Sequence, residues 1–558
     1  MQRNYDVIIL GGGLAGLTLS IQLKLSKPDI KILVLERRKT AAPEAAHKVG
    51  ESTVELGSHY LREVCGLKDY LEKHELPKYG LRFFFKSNTK EDIASRVELG
   101  PRKWLYTPSH QLDRGTLENH LMEKSKEMGC EVMIDATVKD VAFGKEKSSV
   151  TYKHKGEEYT ATGRWVADAS GRGSVLKRKL GFEKPMEHHA DAVWWRLKGV
   201  VDITNWSDNE EWRNYPEVKL RYLSTVHFLD KGYWVWVIPL GTKNTSIGIV
   251  ADPAFHPLET YDTYEKALEW LKVNEPLCYK MLEPETPNKL DFMRLKHYAH
   301  DTGRAYDGVD RWGVVGEAAA FLDPFYSPGT DFIAMSNTWL GDLIIRELNG
   351  EDVGFRAEIY EQTYLNFVKS WIPIYKDKYQ LMGHTQVMST KILWDWAIYW
   401  AIPSLLFTNK GMTDLQVLKQ LFSASDSLGK KFGQLHEQMQ KLFLDWAPYD
   451  QEIFSHRFID PVDLNCMLDF QHGIRTQHGD KLMEQIAKNM DILEKVAAEI
   501  FRRVSNHAKG TPLDMPVDPY LMDLNAEENK TNGRAILPDE ATKRDIDVLW
   551  FYGKKELA

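Results

Sequence analysis

The sequence predicts an α/β protein: a nucleotide-binding domain with an inserted antiparallel β-sheet and a mainly α-helical C-terminal extension. Three observations carry this. A buried strand, Tyr5-Asp-Val-Ile-Ile-Leu10, runs into a glycine turn and then a helix. Strand-like alternation recurs from Ala192 to about Val250, and beyond Gly350 the pattern is mostly helical to about Arg503. The first is the opening of a Rossmann-like unit, the second an inserted sheet, the third an appended helical layer.

The elements follow in order. A helix is predicted over residues 14–25, with five apolar residues from Leu17 to Leu25, and a strand over 30–35 that ends in Glu36. Helices are expected at 57–64 and 67–73 and a strand at 81–85. Asp113-Arg114-Gly115 opens a helix over 116–128, and a strand follows at 131–134. Residues 141–159 read as a hairpin with a charged turn, and Arg164-Trp-Val-Ala-Asp168 as a buried strand. The inserted sheet takes runs at 192–200, 220–229, 233–238 and 245–250. The nucleotide domain resumes at Trp312-Gly-Val-Val-Gly316, and a helix over 330–348 stops at Asn349-Gly350. Domain bounds are accordingly set at 1–185 and 296–350 for the two parts of the nucleotide domain. The substrate sheet takes 186–295 and the extension 351–558. Within the extension, the polar region 524–547 reads as a loose connection or tail, and Leu549-Trp-Phe-Tyr552 as a docking segment.

Composition narrows the function classes. A chain of 558 residues with 43% hydrophobic and 27% charged residues is long enough for two or more domains and is typical of a globular enzyme. A net charge of −8 argues against a general nucleic-acid binder. The short run Arg37-Arg38-Lys39 reads as solvated surface. Cys65, Cys130, Cys278 and Cys466 are far apart and show no metal-ligand spacing, so no metal site is expected. Polar Gln2-Arg3-Asn4 leads straight into the first strand, which points to a cytoplasmic protein. The greasy run from Ile392 to Phe407 contains Asp395 and Pro403 and is short for a membrane span; a core helix or pocket wall is expected.

The chemistry begins at Gly11-Gly12-Gly13-Leu14-Ala15-Gly16. Gly11, Gly13 and Gly16 allow a tight turn and close backbone approach to a pyrophosphate, and the helix opening at Leu14 and Ala15 offers N–H donors. Glu36, followed by Arg37, lies 20 residues beyond Gly16 at the end of the second strand, where an acid accepts from an adenosine ribose. These residues alone leave FAD and NAD both open.

The segment from Val314 to Pro324 resembles the second flavin signature of FAD monooxygenases of the hydroxybenzoate hydroxylase type. Gly316-Glu317 stands where that family has Gly-Asp, whose acid contacts the ribityl chain, and Arg114 and Asp168 match positions lining FAD. The resemblance then narrows. Gly50-Glu51-Ser52, Lys78-Tyr79-Gly80, Trp234-x-Trp236-x-Ile238-Pro239 and the loop Asp323-Pro324 to Gly329-Thr330 stand in the order of the flavin-dependent halogenases. The likeness is to the phenol and pyrrole branch; tryptophan halogenases have a glutamate where Tyr326 stands.

The resemblance implies an enzyme that uses FADH2 from a separate flavin reductase, O2 and chloride or bromide. Hypohalous acid would travel through an internal tunnel to Lys78, and an electron-rich aromatic metabolite, possibly carrier-protein-bound, would take the halogen. Trp234, Trp236 and Pro239 would keep organic substrate from the flavin. Gly329 and Thr330 would hold the halide, because Pro328 has no N–H to give. That missing donor sustains a second reading: a non-halogenating flavin monooxygenase or dehydrogenase acting on an aromatic or polyene metabolite. A third, a non-catalytic flavin protein, is opposed by Lys78 and the tryptophan pair.

Overall fold

The computed structural model describes residues 3–43, 50–88, 90–215, 220–424, 426–451, 457–510, 516–526 and 534–551. Its first sheet is built around Arg3–Leu10, which pairs in parallel with Ile32–Leu35 on one side and Glu157–Asp168 on the other. Glu131–Met133 extends one edge in parallel, and Trp312–Val314 then Tyr306–Asp307 extend the other. Val7, Ile8, Ile9 and Leu10 are fully buried, because helices cover both faces of a parallel sheet. From Arg3–Leu10 the chain goes first to Ile32–Leu35 on one side and later crosses to Glu157–Asp168 on the other. The crevice beyond their C-terminal ends is therefore a topological switch point, where open α/β sheets bind ligands. Ala136–Ala142 and Ser148–His154 form an antiparallel pair attached to Glu157–Asp168.

Among the described residues the second sheet has eight strands, in the order Met293–Leu295, Asp191–Lys198, Asn244–Ala251, Tyr233–Pro239, Thr225–Asp230, Leu81–Phe84, Val97–Leu99 and Arg457–Ile459. It reaches beyond residues 186–295. Leu81–Phe84 joins in parallel to Thr225–Asp230, and Arg457–Ile459 in parallel to Val97–Leu99. The strand expected from residue 220 starts only at Thr225. Arg221–Leu223 forms a tight turn because the Arg221 guanidinium is drawn inward onto buried Glu98.

The C-terminal extension is a helical layer. All 15 residues of Thr385–Tyr399 are buried, and the element continues through a π-turn, Trp400–Ser404, into Leu405–Thr408. Pro403 lacks the N–H of a regular helix and is accommodated within this turn. The run expected as a core helix or pocket wall is both: it is buried throughout, and Trp396, Tyr399 and Trp400 line a chamber. No helix among the described residues is long and apolar enough to cross a membrane.

The polar region 524–547 departs from expectation. Glu540–Leu549 is a helix, N-capped by the Asp539 side chain through Thr542 N–H. Ile546 and Leu549 are buried, and Asp545 accepts from the N–H groups of Asn465 and Cys466 at the start of Asn465–Arg475. A helix that buries one narrow face needs few apolar residues, which is why composition hid it. Leu549 and Phe551 dock as expected, and Trp550 stacks on Trp446 at 5.5 Å. Residues 527–533 and Tyr552 lie outside the described residues.

Candidate active site: two adjoining cavities

A cavity of about 540 Å³ opens at the switch point. Gly11, Gly13, Leu14, Ala15, Glu36 and Arg37 line one end, and Gly50, Glu51, Ser52 and Arg114 line its flank. The glycines are required: a Cβ on Gly11, whose φ is +114°, would stand 2.4 Å from Ala169 O, and one on Gly16 would stand 2.0 Å from Gly11 O. Glu36 Oε2 accepts from Gly12 N–H at 2.7 Å, and Oε1 accepts from Arg38 N–H at 2.7 Å. Glu51 and Asp291 clasp the Arg196 guanidinium between them at 2.8–2.9 Å. Ser52 Oγ meets Thr225 Oγ1 at 2.8 Å.

Trp234 and Trp236 share one face of Tyr233–Pro239 and line the same cavity, their rings 5.6 Å apart. The Trp234 indole donates to Tyr379 Oη at 3.0 Å and the Trp236 indole to Ser246 Oγ at 3.1 Å, so both rings are fixed. Glu317, Asp323, Pro324, Gly329 and Thr330 complete the lining. Glu317 is also paired with Arg172 at 3.1 Å. Asp323 Oδ2 accepts from His188, Tyr298 and Tyr379 at 2.6–2.8 Å, which ties the loop to segments flanking the second sheet and to the C-terminal extension.

Four expected lining residues do not line the cavity. Asp168 is fully buried, and its oxygens are occupied by Ser170 and by Leu176 N–H, so it shapes the turn. Gly16 and Gly316 act by close packing; a Cβ on Gly316 would stand 3.1 Å from the Ala15 Cβ. Pro239 ends its strand beyond the cavity, and Ile238 lines it instead.

Three other features at or behind the cavity wall were not foreseen. Arg38, read as solvated, sits in the wall, and its buried Nη1 has no hydrogen-bond partner among the described residues. His227 also lines the wall, stacked on Phe83 at 4.5 Å, and burial pushes its pKa down to about 3. Gly248 faces Trp236 across the strands, where a Cβ would stand 2.2 Å from the indole.

The residues present fit FAD. Gly11 and Gly16 leave room where a side chain would block close approach, Arg38 offers an unused cationic donor, and Glu36 stands at the end of the second strand.

Lys78 lies in a second, narrower chamber of about 40 Å³. Pro328 lines both cavities. Glu55, Asp331, Tyr326, Trp396, Tyr399 and Trp400 are among the other walls of the smaller one. Lys78 is 4% exposed, and its Nζ donates to Thr53 O at 2.8 Å. Burial pushes its ammonium down to about 7, against the opposing charges of Glu55 and Asp331. Burial likewise raises Asp331 to about 7, although the Tyr399 hydroxyl, Gly57 N–H and Lys78 all favour its ionised form. Glu55 is raised by burial too. Glu55 and Asp331 carried no signal in the sequence, since neither belongs to a recognised motif. The intervening loop holds Tyr326 and Ser327 at φ +72° and +60°, strained for side chains of any size. Tyr326 Oη donates to Asp395 Oδ2 at 2.9 Å, which helps to hold that conformation.

The fold and cavity define an FAD-dependent oxidoreductase, and residues 4–250 match the family described as FAD binding domain. Over 511 residues the chain is 27% identical to flavin-dependent halogenase chlA of Dictyostelium discoideum, covering 81% of this chain and 82% of that one. It is 27% identical over 392 residues to a 1H-pyrrole-2-carbonyl-[peptidyl-carrier protein] chlorinase of Pseudomonas fluorescens, covering 66% and 82% of the two chains. The fold is shared with the halogenase PltM, at a TM-score of 0.60 and 17% identity over 87% of this chain and 96% of that one. Over most of its length the chain is similar to flavin-dependent halogenases.

Proposed function

We propose that this protein is an FADH2- and O2-dependent halogenase that transfers chlorine or bromine to an electron-rich aromatic metabolite of phenol or pyrrole type. One observation carries the reading: a buried lysine in an aromatic chamber that meets the flavin cavity across the shared residue Pro328. When bound, reduced FAD supplies, with oxygen, the two-electron oxidation that turns halide into hypohalous acid.

The chain's own residues do the rest. Gly329 and Thr330 open a 20-residue helix at the cavity wall, and their N–H groups hold the halide. Trp234 and Trp236, fixed by Tyr379 and Ser246, exclude organic substrate from the flavin side. The Lys78 ammonium donates a hydrogen bond to hypohalous acid and favours departure of hydroxide; with a pKa near 7 the free amine is also accessible. Trp371, Trp396, Tyr399 and Trp400 form flat walls for an aromatic ring. A separate reductase supplies FADH2, and the carrier-linked pyrrole chlorinase among the relatives supports a carrier-bound substrate as one form. The setting proposed is cytoplasmic.

Pro328 favours one alternative, a flavin monooxygenase or dehydrogenase, because it removes an N–H donor from the halide position. Mass spectrometry separates the two readings. Reactions hold reduced FAD, oxygen, bromide and a panel of phenols, pyrroles and indoles. Products with bromine's paired isotope peaks are expected. Products gaining only oxygen, or losing two hydrogens, would refute halogenation.

A further inference from the structure

We propose that Asp331 is a further catalytic residue, the base that takes the hydroxyl proton of a phenolic substrate while the Trp396 indole N–H donates to that substrate. This rests on the halogenase reading and extends it to substrate class and proton acceptor.

Asp331 stands in the first turn of Gly329–Leu348 and is 2% exposed. Its Oδ1 accepts from Gly57 N–H at 2.8 Å. Its Oδ2 is buried and makes no close hydrogen bond among the described residues; the nearby Tyr399 hydroxyl, which accepts from Leu56 N–H, favours the ionised carboxylate. Trp396 is 6% exposed, and its indole nitrogen is also buried without a partner. Both residues line the Lys78 chamber. Buried polar groups are ordinarily satisfied, so an unused acceptor and an unused donor in one aromatic slot describe the complement of a ligand.

That ligand must give one hydrogen bond and receive another. A phenolic hydroxyl does both with one oxygen; a pyrrole or indole N–H can only donate. The other ionisable walls are engaged. Lys78 donates to Thr53 O, Glu55 Oε1 accepts from Gln471 at 3.1 Å, and Asp395 is held by Lys391, Tyr326 and Gln440. Asp331 is left with the open oxygen, and burial places its pKa near 7, suited to a base at neutral pH.

The step balances. The phenol O–H bond breaks, and its proton passes to Asp331 Oδ2. The released electron pair moves through the ring, and a ring carbon bonds to the halogen of hypohalous acid. The halogen–oxygen bond breaks, and its pair leaves with hydroxide, which takes a proton from Lys78 and departs as water. The halogenated carbon then loses its hydrogen to Lys78, and the ring oxygen regains its proton from Asp331. Phenol and hypohalous acid become halophenol and water.

Asp331→Asn keeps the shape and the acceptor for Gly57 N–H. The first readout is binding of a phenol and of its methyl ether to the FAD-loaded protein, followed by tryptophan fluorescence. The wild type is expected to prefer the phenol at least tenfold, and Asp331→Asn to lose that preference. No preference in the wild type, or the same preference in the variant, overturns the assignment. Trp396→Phe is a second, milder variant, expected to weaken phenol binding at least threefold; unchanged binding counts against the donor role. The second readout is turnover. Asp331→Asn is expected to lose about 100-fold in kcat on a neutral phenol but under tenfold on a nitrophenol already ionised at the assay pH. Equal losses on both overturn the base role. If no phenol is halogenated but Asp331→Asn abolishes the binding preference, the halogenase reading fails while the phenol site stands.

Discussion

The two cavities are built by opposite means. The larger one draws on short contiguous motifs, with glycines where side chains would collide. The smaller one gathers Glu55, Lys78, Asp331 and Trp396 from four distant stretches of chain and closes them in with C-terminal aromatic residues. A cofactor site can be laid down by local turn geometry, because phosphates are held by N–H groups and helix ends. A site that shifts the pKa of an ammonium to about 7 needs burial, and burial is a property of the whole fold.

The contrast yields tests that disturb one cavity and spare the other. The largest effect is expected from Lys78→Met, which is predicted to lower aromatic halogenation by 10³-fold or more, about 4 kcal/mol of transition-state stabilisation. FAD content and oxygen uptake should stay unchanged, read by absorbance and an oxygen electrode.

Arg196→Met strikes the larger cavity. It would leave Glu51 and Asp291 buried without their cation, both side chains being under 5% exposed. A loss of about 3–5 kcal/mol in stability is expected, measured by denaturant unfolding of the FAD-loaded protein.

Gly248→Ala is a smaller intrusion. The new methyl would displace the Trp236 ring, costing about 1–3 kcal/mol, and product analysis should detect oxygenated by-products. A variant that leaves both Trp236 fluorescence and products unchanged would show that the tryptophan does not partition the cavity.

The smallest effect concerns halide. Asp331 lies in the helix turn that presents Gly329 and Thr330, and its pKa is raised to about 7. It is mostly neutral below that pH and negative above it. A negative group in the first turn competes with an anion there. The KM for bromide is therefore expected to rise about two- to fivefold between pH 6 and pH 8, the equivalent of roughly 0.3–1 kcal/mol. A KM independent of pH would separate Asp331 from the halide.

What could be read in the sequence follows the same division. The Gly11–Gly16 turn, the acid Glu36 and the paired tryptophans carry their geometry in local spacing, and all but Gly12 and the packing glycine Gly16 face the larger cavity. Arg38 was hidden in a short basic run, because nothing local tells a solvated arginine from one folded inward. Gly248 was visible only as a strand glycine, and its purpose depends on Trp236 standing opposite. Glu55 and Asp331 gave no local signal because their significance is their distance from water. The Glu540–Leu549 helix was obscured by polarity, although Asp539 three residues before Thr542 has the spacing of an N-cap.

The central claim is that oxidant is made in one cavity and used in the other. It is tested most directly by comparing wild type and Lys78→Met in a reaction with reduced FAD, oxygen, bromide, an aromatic substrate and a small diffusible halogen trap. The account predicts brominated aromatic product from the wild type, and from the variant brominated trap without aromatic product. A variant that brominates the aromatic as fast as the wild type, or a wild type that only inserts oxygen, would contradict it.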